Sequence, residues 1–259
     1  MMADASQTSR SLVLPVQRVT VDEPWQWLSA GWQDFRRAPA VSLTYGVAFV
    51  AVSFLLTLGL WLAGLFYLVL PLAAGFMFIG PVVAVGLYEV SRRLERGQAV
   101  TLHAAVVAWR ANPGPIATMG LVLMLFLLAW IRLAFLIFAL FFGTTPPSWE
   151  HLVTTLLFTT DGIPFLVVGI AAGGALAAVV FAISAVAIPA LLDREIGVLS
   201  AVATSAAAVI ENWRVMIGWG ALIVLFTAAG LVTFYVGLAL TLPLVGHASW
   251  HAYRGLVAR

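Results

Sequence analysis

The sequence predicts an all-α integral membrane protein with six transmembrane helices. They form three hairpins, each preceded by a cytoplasmic interfacial amphipathic helix, with both termini inside. Three observations carry that expectation. The chain is 63% hydrophobic and 9% charged, with a mean hydropathy of +1.05, whereas soluble domains carry about 25% charged residues. Six apolar stretches, near 41–63, 65–88, 115–142, 163–192, 215–236 and 238–253, approach or exceed the roughly 20 residues a spanning helix needs. All 13 basic residues are arginines, and twelve of them fall in polar segments that alternate with the spans so as to share one side. Arginine-bearing short loops stay cytoplasmic, which fixes the N-in, C-in orientation.

Each element follows in order. Residues 1–20 lack an apolar core before a small-residue cleavage site, so they are expected as a disordered tail rather than a cleaved signal peptide. Residues 21–259 form one helical membrane domain. Asp22-Glu23-Pro24 opens a helix with proline in its first turn. Trp25, Leu28, Trp32 and Phe35 then recur at helical spacing, which predicts an amphipathic helix in the headgroup region. Residues 101–112 and 196–210 repeat the pattern more weakly. The links at Ala63-Gly64 and Gly237 are so short that the flanking spans are expected as tight antiparallel hairpins. Continuous apolar runs favour helices over barrel strands, and lipid admits only those two spanning forms.

An internal repeat of three units is expected, at 21–96, 97–194 and 195–259. Pro39-x6-Gly46, Pro113-x6-Gly120 and Trp213-x6-Gly220 open spans one, three and five at one spacing. Units that all begin on the cytoplasmic side would be parallel repeats. Between spans three and four, Thr144-Thr145-Pro146-Pro147 breaks the helix, and Ser148 caps a short one.

The candidate functional residues are few. Arg132 is the one arginine inside an apolar run; a helix rising about 1.5 Å per residue from Ile116 carries it about 24 Å into a core roughly 30 Å thick. There it can snorkel, pair with Asp161 or Glu150, or serve an anion or solute. His247 and His251 stand four apart on one helix face, a spacing that suits either an interfacial aromatic belt or a shared metal. Glu89, Arg92, Arg93, Glu95 and Arg96, together with Asp193, Arg194 and Glu195, form mixed-sign clusters below spans two and four, either a solvated cap with local ion pairs or a contact for acidic lipid. Gly169, Gly173 and Gly174 suit close helix packing. Pro71, Pro81, Pro189 and Pro243 could kink the even spans. No residue is assigned to catalysis, metal or cofactor. The chain has no cysteine, which excludes disulfides, thiolate catalysis and Cys-ligated metal centres. No Walker loop, His-Glu-x-x-His pair or Gly-x-Ser-x-Gly elbow occurs. No enzymatic activity and no nucleic-acid binding are therefore expected.

Several motifs span the chain: Pro24-Trp25-x-Trp27-Leu28-x2-Gly31-Trp32, Leu70-Pro71-Leu72-Ala73-Ala74-Gly75-Phe76, Gly80-Pro81, Gly86-Leu87-Tyr88-Glu89-x-Ser91-Arg92-Arg93, Trp109-Arg110-x-Asn112-Pro113 and Gly246-His247-x2-Trp250-His251-x-Tyr253-Arg254. By these the chain resembles a family of bacterial predicted integral membrane proteins, domain of unknown function 2189. The resemblance implies a helical inner-membrane protein. Some members carry a cytochrome oxidase subunit label; the histidines a haem–copper subunit needs in several spans are missing here, which leaves an accessory respiratory role. Function is thus expected to be that of a non-enzymatic accessory or structural component in contact with lipid and with other membrane proteins. The alternative is a carrier or channel for a small or amphipathic solute.

Overall fold

A computed structural model describes residues 12–143 and 152–258. The described chain is all-α, with no strand beyond a single bridge between Val16 and Val257. In order the helices are α1 (Glu23–Arg37), α2 (Pro39–Leu62), α3 (Val69–Val83), α4 (Val85–Glu95), α5 (Leu102–Val106), α6 (Pro113–Phe142), α7 (Leu152–Phe158), α8 (Gly162–Ser184), α9 (Ala187–Asp193), α10 (Val198–Glu211), α11 (Trp213–Val232) and α12 (Leu238–Leu256). Five segments are long and apolar enough to cross a membrane: Pro39–Leu62, Phe66–Glu95, Pro113–Phe142, Gly162–Asp193 and Trp213–Val232. The protein is a multi-pass integral membrane protein. The sixth apolar stretch forms α12, which is less apolar because it carries His247, Ser249, His251 and Arg254.

Two spans are interrupted, and in both the freed backbone group finds a partner. Pro81 lies inside α3, which stops at Val83 before α4 restarts. The Leu87 amide turns to the Ala84 carbonyl, at 2.9 Å, so the Val83 carbonyl loses its helical donor. The Tyr45 hydroxyl donates to it instead, at 2.5 Å. Between α8 and α9 the Val186 amide is taken by Ser205 Oγ at 3.1 Å, and Pro189 sits in the new first turn. An unpaired amide at that depth would cost several kcal/mol, on the order of other buried orphan groups. Of the four prolines expected to kink the spans, these two flank breaks. Pro71 instead stands in the first turn of α3, and α12 runs through Pro243 unbroken.

The pairing of helices departs from simple hairpins. α11 and α12 do pack as neighbours, but α2 packs chiefly along α12, and α3 along α6. The reason is local. A side chain at Gly46 would run into the Ala239 backbone, and one at Gly75 into Leu127; these glycines bring α2 to α12 and α3 to α6. Between α2 and α3 the Tyr45 hydroxyl reaches the Val83 carbonyl and Phe49 stands edge-on to Phe76.

The expected interfacial helices are also revised. α1 buries Trp27, Leu28, Gly31, Asp34 and Phe35, and it does so against α12. A Cβ on Gly31 would lie 2.6 Å from the Ala248 nitrogen. Trp25 and Trp32 point outward, 63% and 44% exposed. In α10 the small face of Ala201, Thr204, Ser205 and Ala208 is buried, while Leu199 and Ile210 face out. The 1–20 tail is a further correction. From residue 12 it is tied down by Leu14 N–H to Thr204 Oγ1, by Val19 N–H to Asn212 Oδ1, and by backbone bonds to residues 256–258. Ser148, residues 144–147, Glu150 and residues 1–11 lie outside the described residues.

Candidate functional site at the arginine-rich end

The ends of α1, α2, α4, α9 and α12 converge where the arginines are concentrated. Helix spacing supplies the first contacts. Glu89 lies three and four residues before Arg92 and Arg93, positions that face each other on a helix. Both guanidiniums donate to its carboxylate, Arg92 Nε to Oε2 at 2.7 Å and Arg93 Nε to Oε1 at 2.6 Å. The Glu89 side chain is only 5% exposed, so it is a buried carboxylate between two cations rather than a solvated one. Arg92 continues to the Leu192 carbonyl at 2.8 Å, which ties α4 to the end of α9.

Asp193 is the second hub. It accepts from Arg96 at 2.8 Å, from the Tyr253 hydroxyl at 2.9 Å and from Arg254 at 3.3 Å. Arg254 also donates to Glu95 at 2.9 Å, and the Trp250 indole donates to the same carboxylate at 3.2 Å. Arg194 completes the group by donating to the Tyr253 hydroxyl and to the Ala258 carbonyl. Three helices far apart in sequence are thereby joined through a few charged side chains. Charge-assisted bonds of this kind are about twice as strong as neutral ones.

His247 and His251 share α12 but not a ligand. The His247 ring is fully buried; Ser42 Oγ lies 2.9 Å from Nε2 and Ser91 Oγ 2.9 Å from Nδ1. One ring nitrogen donates and the other accepts, and both are occupied by hydroxyls from α2 and α4. His251 Nε2 instead meets Asp34 Oδ2 of α1 at 2.7 Å. The pair therefore acts as two bolts on one helix, each holding a different neighbour. Ser42 and Asp34 were not singled out by the sequence, and Ser91 and Tyr253 entered only as letters of longer motifs. A serine inside an apolar run carries no periodic signal, and its partner stands 205 residues away for Ser42 and 156 for Ser91.

Arg132 stays apart. It is exposed on α6 and makes no ion pair with a described carboxylate, so the expected contact with Asp161 does not form. Glu150 is outside the described residues. The three small residues of α8 also separate: a Cβ on Gly173 would lie 2.9 Å from the Trp130 ring, while one on Gly169 or Gly174 would meet open space.

Beyond the network, an apolar cavity of about 480 Å³ lies between the α3–α4 junction, α8, α11 and α12. Phe78, Gly174, Phe181, Trp219 and Leu242 contribute to its wall, with the Tyr88, Ser184 and Ser249 side chains as its polar points.

Residues 68–193 match the family described as predicted integral membrane protein (DUF2189). Over those residues, just under half of the chain, the protein is similar to that family. No curated protein and no solved structure matches it. The DUF2189 stretch runs from the turn before α3 to the last residue of α9. It therefore contains Glu89, Arg92, Arg93, Arg96 and Asp193, whereas Tyr253 and Arg254 of α12, which bond Asp193, lie outside it.

Proposed function

We propose that the protein is a six-span, non-enzymatic component of a bacterial inner membrane, with both termini cytoplasmic, that contacts lipid and other membrane proteins. The sixth span is α12. Support for an even number of crossings comes from the termini: Gln17 N–H donates to the Leu256 carbonyl and Ala258 N–H to the Pro15 carbonyl, at 2.8 and 3.0 Å. Segments bonded to each other lie on one side, and five crossings would separate them. The arginines of that end favour the cytoplasm. A threefold repeat is consistent with α2, α6 and α11 beginning at Pro39, Pro113 and Trp213.

The observation that carries the non-enzymatic reading is the commitment of the acidic groups. Glu89, Asp193, Glu95 and Asp34 are each held by an arginine or histidine of the same chain. A general base or proton relay needs a carboxylate aimed at a substrate; these are aimed at other helices. Such a network suits a rigid cytoplasmic base on which a partner can dock. The test is purification from native membranes in mild detergent. A membrane protein recovered in constant ratio supports the accessory role. A clean monomer stabilised by a small solute contradicts it.

The 480 Å³ cavity favours a second reading, a carrier for an amphipathic solute, because it is apolar with a few hydroxyl-bearing residues in its lining. In that case Arg132→Ala should abolish uptake into proteoliposomes if the arginine stands at the outer mouth. Unchanged uptake would remove it from the path.

A further inference from the structure

The molecule has a second apolar cavity, about 390 Å³, between α2, the α3–α4 junction, α5 and α6. Like the first, it ends toward the arginine-rich side on a tryptophan with a guanidinium over its ring. Trp213 lines the larger cavity, and Arg214 lies 5.1 Å from its ring centre. Trp109 lines the smaller one, and Arg110 lies 5.5 Å from its ring centre. Both arginines are exposed and, among the described residues, neither makes an ion pair. In this they differ from Arg92, Arg93, Arg96 and Arg254, which are all paired.

We infer that each cavity receives an acyl chain of an anionic phospholipid, with the phosphate held by Arg214 at one and by Arg110 at the other. The inference rests on the membrane-component reading above, and it names the lipid. Three features converge on this occupant. The larger cavity reaches from Trp213 to Thr227 along α11, roughly 21 Å at 1.5 Å per residue. That is at least one leaflet of a hydrocarbon core roughly 30 Å thick. Its wall includes Ala178, Ile217 and Val224, which are themselves exposed, so the space opens sideways where lipid stands. An empty apolar space forfeits the dispersion contacts of its lining, and a lipid chain restores them. Finally, tryptophan belongs at the headgroup level, and a guanidinium freed from carboxylates is suited to bind phosphate through paired N–H groups.

The test uses the full-length protein in nanodiscs of equimolar phosphatidylglycerol and phosphatidylcholine, followed by native mass spectrometry of the lipids it retains. Each arginine near an anionic headgroup should enrich phosphatidylglycerol on the order of fivefold, with loss of that preference as salt rises. Arg214→Gln and Arg110→Gln should each remove the preference at one site, and the double variant should remove it entirely. Gly174→Leu fills the larger cavity without meeting a neighbour, since nothing stands within 4 Å of its Cβ position. It should reduce the retained lipid by one, whatever the headgroup. Gly120→Leu should do the same at the smaller cavity. Equal retention of both lipids by the wild type, or a preference untouched by the double arginine variant, would overturn the inference. So would an unchanged lipid count in Gly174→Leu and Gly120→Leu. These readouts concern lipids alone, so they can fail while protein partners still copurify.

Discussion

The two ends of the helix bundle are held together by different physics. At the arginine-rich end, residues 85–91, 187–192 and 247–250 are almost continuously buried, and charged side chains cross-link helices whose sequences are far apart. At the other end, Leu62, Val232 and Phe234 are 71%, 77% and 81% exposed, and the helices turn apolar faces outward. The first end carries its own cohesion. The second relies on lipid to cover what the protein leaves uncovered, because in a bilayer apolar surface gains little by turning inward. Mutations of similar size should therefore act unequally along a single helix.

The largest difference should come from the charge hubs. Glu89→Ala leaves Arg92 and Arg93 beside a carboxylate-free, nearly buried site, and breaking such a pair costs about 3–5 kcal/mol. Phe234→Ala, at the other end, should stay within about 0.5 kcal/mol. Thermal unfolding of both in the same detergent checks the contrast, and equal shifts would abolish it. Next come two glycines of one helix. Gly46→Leu meets the Ala239 backbone and should cost about 1–3 kcal/mol by overpacking, with α2 displaced from α12. Gly59→Leu, with nothing within 4 Å, should be neutral or slightly stabilising through helix propensity. A comparable effect is expected at His247→Ala, which leaves the Ser42 and Ser91 hydroxyls buried without their partner, at about 1–3 kcal/mol. Asparagine at that position can answer one of the two serines and should recover part of the loss. The smallest shift belongs to Arg132→Ala, within about 0.5 kcal/mol, since that side chain is exposed and unpaired among the described residues.

Much of the fold was legible in the sequence because its signals are local. Apolar runs of spanning length, proline at the first turns of α2 and α6, and glutamate three and four residues before two arginines all act within one helix. The helix partnerships were not legible. Short links at Ala63-Gly64 suggested a hairpin, yet link length limits only the ends of two helices. The seam is chosen by where Gly46 and Gly75 let a backbone or side chain come close. The candidate site divides the same way. Glu89, Arg92, Arg93, His247 and His251 stood out as charged or titratable groups in apolar surroundings. Asp193 stood out in the same way, but its pairing with Arg96 and Arg254, like the partners Ser42, Ser91 and Asp34, becomes visible only when distant helices meet. Arg132 drew notice through its isolation in sequence, and the structure keeps it isolated.

The central claim is that the arginine-rich end, with both termini, forms one cytoplasmic base beneath six crossings. The chain has no cysteine, so single cysteines can be placed at Val21, Gln98, Thr160, Phe234 and Ala258 and probed in intact cells with a membrane-impermeant maleimide. The account predicts labelling from outside at Thr160→Cys and Phe234→Cys. Val21→Cys, Gln98→Cys and Ala258→Cys should react only after the membrane is permeabilised. Labelling of Ala258→Cys from outside, with Val21→Cys still protected, would mean an odd number of crossings and would contradict it.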